Sequence, residues 1–326
     1  MTEPAPNPTE APETPPPRRA GFAAVIGAPN AGKSTLVNRL VGAKVSIVTR
    51  KVQTTRFPVK GVAMLGQSQV VLVDTPGIFT PRRRLDRAMV RSAWGGAQDA
   101  DAVVHLVDAS AELAVVQGAS KAADRRSADD VQSIIEGLKH RPRKAILALN
   151  KIDVVKRDQL LGLSQTLFDA GVYSEVFMIS AANGSGVEDL KARLAELMPL
   201  GEWLYPEDQT ADLPVRLLAA EITREKIYLR VHEELPYAAA VETTLFEEAK
   251  SGSVRIEQNI YVERESQRPI VLGKGGQTVK WIGENARKDL MEILDRPVHL
   301  FLHVKVRENW QEEREFYSGL GLEFDV

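Results

Sequence analysis

Residues Gly27, Ala28, Pro29, Asn30, Ala31, Gly32, Lys33 and Ser34 have the spacing GxxxxGK[ST]. Glycines in such a loop let backbone N–H groups wrap a phosphate, and a helix opening at its end adds a favourable dipole. In that arrangement Lys33 reaches the β- and γ-phosphates, while Ser34, followed by Thr35, holds Mg2+. A second cluster is Asp74, Thr75, Pro76 and Gly77. There a carboxylate can bind Mg2+ through water and the Gly77 N–H can meet a γ-phosphate. Alone, it also reads as a turn with proline at its second position. A third cluster is Asn150, Lys151, Ile152 and Asp153. The Asp153 carboxylate suits the N1–H and exocyclic amine of guanine, a donor pair adenine lacks. Asn150 and Lys151 would brace the loops and cover the base, and Ser180, Ala181 and Ala182 would contact it through backbone N–H groups.

A different chemistry is suggested near the C-terminus. Gly273, Lys274, Gly275 and Gly276 form a GxxG turn between apolar Val271-Leu272 and an amphipathic segment. Such a turn lets helices converge while a nucleic-acid backbone approaches without Cβ clashes. Lys274 and Lys280 can meet phosphates. Residues 267–307 carry eight Lys/Arg and four Asp/Glu, whereas 308–326 carry one Arg and six acids. The basic character is thus confined to the GxxG segment. In the alternating run 298–307, His299, Phe301, His303, Lys305 and Arg307 share a face that offers stacking and phosphate contacts. Single-stranded RNA is the expected ligand, with Phe301 and Lys305 among its contacts; nothing points to DNA.

The elements that must position these groups follow from apolar patterning. Runs at 22–27, 70–75, 102–108, 144–150 and 175–180 are nearly continuous, as in a parallel sheet covered on both faces. Helices are predicted over 33–41, 128–140 and 157–170, giving a βαβ rhythm. The run 58–65 lies close enough to 69–74 for an antiparallel hairpin edge. The predicted order after 213 is a helix at 216–234, paired strands at 238–249 and 254–264, the Gly turn, a helix at 277–294 and a strand at 298–307. The expected fold is α/β: a P-loop domain with a mostly parallel sheet over 21–200, a linker over 201–213, and a small α+β domain over 214–326 ending in an acidic tail. Residues 1–20 contain seven prolines and no apolar periodicity, which predicts a disordered tail.

Composition excludes several classes. The 326 residues contain no cysteine, ruling out disulfide frameworks, thiolate metal sites and cysteine nucleophiles. Lys plus Arg total 42 against 44 acids, so the chain is not uniformly basic. No run approaches 18 apolar residues, so no transmembrane segment is expected, and the N-terminus lacks a secretory h-region. A cytoplasmic protein is the expectation.

The phosphate, DxxG, NKxD and SAA elements together resemble the translation-factor-like GTPases. With GAPNAGKST, QTTR, DTPG, NKID and SAANGSGV come AAEITREKIYLRVHEELPYAAAVE and VLGKGGQTVKWIG. Over residues 20–316 the chain therefore resembles the Era-type family of bacterial GTPases, whose second domain is a type II KH domain. The resemblance implies that GTP and Mg2+ are the cofactors, with Lys33, Thr55, Asp74 and Gly77 serving hydrolysis. It favours Thr55 over Thr54 as the switch I threonine on Mg2+. Ile78 stands where many GTPases place a water-orienting glutamine, implying slow intrinsic turnover. Asn30 resembles an asparagine that helps hold K+ in related GTPases. The implied partners are the 3′ end of small-subunit (16S) rRNA and the 30S subunit during its assembly and maturation, with peripheral membrane contact. The stretch 111–127 exceeds the family pattern and is expected to be an inserted loop. Two other readings compete: an RNA-binding scaffold with a vestigial GTP site, and a metabolic P-loop ATPase.

Overall fold

The computed structural model describes residues 17–49, 51, 54–231 and 235–326. The tail expected over 1–20 falls mostly outside these residues, as do the last three positions of the helix expected at 216–234. The first half contains β1 (Arg19–Ile26), α1 (Lys33–Val41), β2 (Val59–Leu65), β3 (Ser68–Asp74), α2 (Arg84–Asp99), β4 (Ala102–Asp108), α3 (Ala109–Val116), α4 (Ala122–Leu138), β5 (Ala145–Asn150), α5 (Arg157–Phe168), β6 (Tyr173–Met178) and α6 (Val187–Leu197). With β7 (Ala211–Asp212), the strands form one seven-stranded sheet in the order β6-β5-β4-β1-β3-β2-β7. All neighbours are parallel except at the β2 edge, where β3 and β7 both pair antiparallel.

Continuous apolar strands are required because both faces are covered. In β1, Ala23 and Val25 pack towards Leu36 and Leu40 of α1 and Leu190 and Leu194 of α6. The intervening Ala24 and Ile26 pack towards Ala93 and Ala97 of α2 and Ile134 of α4. The strand period of two thus feeds two separate cores.

The structure corrects the expectation of a loop over 111–127. Asp108 accepts from the Ser110 and Ala111 N–H groups and starts α3, which ends before the left-handed Gly118. Asp124 then accepts from the Lys121 N–H and starts α4, six residues earlier than the periodicity suggested. Only the turn between these helices is irregular. The segment 201–213 is also tied down. The Trp203 indole N–H donates to the Gln67 carbonyl, Gln69 bonds Leu204 and Tyr205, and β7 adds to the sheet edge.

The second half contains α7 (Val215–Arg230), β8 (Ala240–Glu248), β9 (Val254–Val262), α8 (Arg268–Leu272), α9 (Gln277–Leu294), β10 (Val298–Val306) and α10 (Arg314–Gly319). Its three strands lie in the order β10-β9-β8, with β9 parallel to β10 and antiparallel to β8. The C-terminal segment returns to the first half. Trp310, Tyr317 and Leu322 share a core with Phe57, Leu85, Ala88 and Met89. Arg84 and Arg91 of α2 pair with Glu312 and Glu323. Arg84, at the start of α2, is thus engaged by the acidic C-terminal segment.

Candidate nucleotide and RNA sites

The phosphate loop joins β1 to α1 and is locked before any ligand contact is considered. Gly32 has φ 101°, and a Cβ there would lie 2.4 Å from the Asn150 side-chain nitrogen. That nitrogen donates to the Ala31 carbonyl at 2.7 Å, while the Asn150 Oδ1 accepts from the Ala181 N–H at 2.9 Å. One asparagine therefore ties the phosphate loop to the Ser180–Ala182 loop. Lys33 is buried, and its Nζ donates to the Gly27 and Ala28 carbonyls at 3.1 and 2.9 Å. Burial pulls its pKa down to about 8, against the opposing pull of Asp74 and Asp130. Asn30 stands exposed beside it in the left-handed region, with φ 63°.

Three side-chain oxygen groups converge next to Lys33. The Ser34 hydroxyl donates to Asp74 Oδ2 at 2.7 Å and lies 3.0 Å from the Thr55 hydroxyl, which is 3.2 Å from the same carboxylate oxygen. Thr54 points elsewhere, donating to the Lys51 carbonyl at 2.8 Å. Asp74 is fully buried, and its Oδ1 has no hydrogen-bond partner among the described residues. Burial raises the Asp74 pKa, while Ser34 and Lys33 oppose the shift. An orphaned buried carboxylate oxygen beside two hydroxyls is a hard-oxygen donor set that fits Mg2+, which takes few protein ligands and completes its shell with phosphate and water. Thr75 donates to the Val25 carbonyl at 2.8 Å, and the Ile78 N–H donates to the Gly27 carbonyl at 3.1 Å. A Cβ on Gly77 would lie 2.9 Å from Pro29, so the DTPG segment and the phosphate loop sit against one another. Ile78 is buried among core residues and offers no polar group.

At the other end of the loop system, Lys151 adopts φ 66° and its Nζ meets Asp108 Oδ2 at 2.5 Å. Asp153 is exposed, Ser180 and Ala181 are buried, and Ala182 is exposed. Because the Ala181 N–H is spent on Asn150, it braces the loop and is not free for a base. Two supporting residues escaped the sequence reading. Arg39 donates to the Ala181 and Ala182 carbonyls at 2.8 and 2.5 Å, holding the loop from α1. Asp108 serves both Lys151 and the start of α3; its position at a strand C-terminus was the available signal. Arg39 had none, being one polar residue on an amphipathic helix.

In the second half, Gly273, Gly275 and Gly276 all have positive φ, and a Cβ at 275 or 276 would meet nothing. Lys274 and Lys280 are exposed beside them. A groove of about 370 Å3 runs along α9 and β10, lined by Val279, Lys280, Gly283, Glu284, Arg287, Leu300 and Leu302. Phe301 and Lys305 are not on it. They occupy the opposite face of β10, where Arg255 sits over the Phe301 ring. The structure thus brings Lys280 to the groove beside the GxxG turn and separates Phe301 and Lys305 from it. The alternation of β10 was legible; which of its faces meets α9 was not.

A strand–loop–helix phosphate cradle, a Ser–Thr–Asp oxygen cluster and an NKxD loop, followed by a βααβ unit with parallel outer strands, define a P-loop GTPase fused to a KH domain. Residues 22–151 match the family model for 50S ribosome-binding GTPases, and 234–311 match that for KH domains. The chain is 72% identical over 308 residues to GTPase Era of Caulobacter vibrioides, covering 94% of this chain and 98% of the relative. It is 61% identical over 310 residues to GTPase Era of Maricaulis maris, covering 95% and 99%. A crystal structure of an Aquifex aeolicus Era variant bound to GDP and AlF4− superimposes with a TM-score of 0.82 at 36% identity, over 94% of this chain and all of that one. A structure of Era in complex with MgGDPNP and nucleotides 1506–1542 of 16S ribosomal RNA gives 0.82 at 35% identity, over 95% and 100%. The chain belongs to the Era family of GTPases, and it hydrolyses GTP.

Proposed function

We propose that the protein is a GTP-driven switch that binds the single-stranded 3′ end of 16S rRNA and assists assembly and maturation of the 30S subunit in the cytoplasm. The observation that carries this is the presence, on one chain, of the Ser34–Thr55–Asp74 oxygen cluster and the glycine turn at 273–276 with its adjoining groove. The Era complex with both MgGDPNP and a 16S rRNA fragment supports the pairing of ligands.

In this reading the phosphate-loop amides and Lys33 bind the β- and γ-phosphates, and Asp153 selects guanine. Ser34 and Thr55 would hold Mg2+ directly and Asp74 through water; when bound, the ion neutralises charge on the β- and γ-phosphate oxygens. Ile78 cannot orient the attacking water, so the intrinsic rate is slow. K+ held with the help of Asn30 would supply the positive charge that an arginine finger supplies elsewhere. The RNA backbone would lie against Gly275 and Gly276, with Lys274 and Lys280 on its phosphates and bases in the groove along α9. Phe301 and Lys305 would then meet only RNA that passes the outer sheet face. Peripheral contact with a membrane is part of this reading; no helix among the described residues is long and apolar enough to cross one.

GTP and Mg2+ order the switch segments and RNA favours that ordered state, so the two affinities are linked. The test measures RNA affinity with GDP and with a non-hydrolysable GTP analogue, and GTP turnover with and without the RNA in K+ buffer. Tighter RNA binding with the analogue and faster turnover with RNA are expected. Identical RNA affinity with both nucleotides would remove the coupling, and absence of phosphate release under all conditions would leave only a scaffold.

A further inference from the structure

Thr55 reaches the phosphate–metal site from one side of a segment whose other contacts are with the KH half. Arg224 on α7 donates from Nη2 to the Thr54 carbonyl at 2.6 Å. Its guanidinium is in turn gripped by Glu221 one turn earlier, with Nε to Oε1 at 2.7 Å and Nη2 to Oε2. The residue on the other side of Thr55 is held as well: the buried Arg56 guanidinium donates to the Ala239 carbonyl at 3.0 Å. Upstream, the Val48 N–H donates to Glu225 Oε1 at 2.9 Å, and Lys44 pairs with Glu225 and Asp289 at 2.7 and 2.9 Å.

We propose that Arg224 is a positioning residue for GTP hydrolysis: braced by Glu221, it fixes the Thr54 carbonyl and so the orientation in which Thr55 presents its hydroxyl to Ser34, Asp74 and the phosphates. This rests on the reading of Thr55 as the switch I metal ligand.

Three physical points support it. First, the Arg224 side chain is 2% exposed. A buried ion pair is weak evidence for stability, since apolar residues of similar volume often serve as well or better, so its value here lies in the geometry it sets. Second, a planar fork can make both contacts at once. Two donors aim at Glu221 while Nη2 also reaches Thr54, an angle that lysine cannot reproduce. Burial opposes the charge, but the Glu221 carboxylate keeps Arg224 firmly protonated. Third, the contact crosses from the KH half to the residue next to a candidate metal ligand. A shift of about 1 Å there would matter, because misplacements of that size can cost about 100-fold in rate.

The test uses the full-length chain and compares Arg224→Met, Arg224→Lys and Glu221→Gln by single-turnover GTP hydrolysis at saturating Mg2+, alongside GDP affinity. For both Arg224 variants the rate constant should fall about 10- to 100-fold, with GDP affinity within about twofold because Thr55 acts only with the γ-phosphate and metal. Glu221→Gln should fall between these variants and the wild type. In a Thr55→Ala background, Arg224→Met should add no further loss, since the two act as a unit. Additive losses, or a wild-type rate in Arg224→Lys, would overturn the proposal. If Arg224→Met no longer binds GDP, its fold has failed and the Lys variant decides. Wild-type protein that never turns over GTP would instead defeat the reading of the nucleotide site itself.

Discussion

The nucleotide site and the proposed RNA face use glycine in opposite ways. At Gly32 and Gly77 the missing Cβ is already filled by the protein: Asn150 stands 2.4 Å from the one position and Pro29 stands 2.9 Å from the other. At Gly275 and Gly276 the same atom would project into open space. The lysines follow suit. Lys33 is buried and bonded to two carbonyls, whereas Lys280 is 75% exposed with Glu284 4.0 Å away. One site is held in place by contacts within the fold and accepts a small rigid ligand. In the other only Gly273 is packed, its Cβ position lying 2.3 Å from Thr278 Oγ1, while Gly275, Gly276 and Lys280 are left open for the proposed polymer. Pre-organisation of this kind lowers the ordering cost of binding, so the first site should be sensitive to side chains that touch nothing in the ligand, and the second should not.

Base choice should respond most strongly. Asp153→Asn should cost about 100-fold or more in GTP affinity, because the guanine donor pair loses its carboxylate. Xanthine nucleotides, which present an acceptor there, should bind better than to the wild type. Calorimetric titration with GDP and XDP checks this, and unchanged GDP affinity would mean that Asp153 does not face the base. The variant should leave nucleotide-free RNA affinity unaltered.

Next in size is a defect confined to the second site. Gly275→Asp places a carboxylate where an RNA phosphate is proposed to lie, and should weaken RNA binding about 10- to 100-fold at physiological salt. Because φ is 60° and no atom lies within reach, the fold should lose only about 1 to 2 kcal/mol. Gly32→Ala is the mirror experiment: it should abolish nucleotide binding while leaving RNA binding intact. Matching losses of both ligands in either variant would erase the contrast between the sites.

The unequal legibility of the two sites has the same origin. Phosphate chemistry constrains residue type and spacing locally, so Gly27–Ser34, Asp74–Gly77 and Asn150–Asp153 could be read directly, as could the apolar strands beneath them. What escaped was long-range. Arg39 reaches Ala181 across 142 positions, and Arg224 reaches Thr54 across 170. β7 is too short for any period to register, and α3 is a short helix that breaks off at Gly118 within a stretch longer and less apolar than the family pattern, so 111–127 looked like an inserted loop. The Arg84, Arg87 and Arg91 stripe on α2 gains meaning only when the acidic C-terminal segment lies over it. For β10, period two separates Phe301 from Leu302 but cannot say which of them a helix will cover.

The nucleotide site should also show a pH dependence of its own. Lys33 is held at about 8 by burial, and bound phosphates should restore its charge. Binding therefore takes up a proton once the free protein has lost it. The sign follows: affinity is full below about pH 8 and falls as pH rises beyond it, by about tenfold per unit until Lys33 in the complex also titrates. Measuring GDP affinity at pH 7, 8 and 9 in buffers of different ionisation enthalpy gives both the slope and the proton count. A flat profile for GDP would show that Lys33 remains charged without phosphate.

The weakest response is expected in the α3 region behind the nucleotide site. Glu112 is buried, and that burial, with Asp108 nearby, pushes its carboxyl up to about 7. Its charge is felt by Tyr173, whose hydroxyl lies 2.7 Å from His105 Nδ1, and burial keeps His105 neutral, with a pKa of about 3. A carboxyl raised above its unfolded value contributes stability that is full below about pH 4.5 and is lost as pH climbs to about 7. Glu112→Gln abolishes this titration, so its stability should hold up better than that of the wild type across the same interval, by about 1 kcal/mol after allowance for partial solvent access. His105 shifts in the opposite sense but is common to both proteins, so the difference between their urea midpoints at pH 4.5 and pH 7.5 isolates Glu112. Equal differences at the two pH values would place a charged carboxylate in that core.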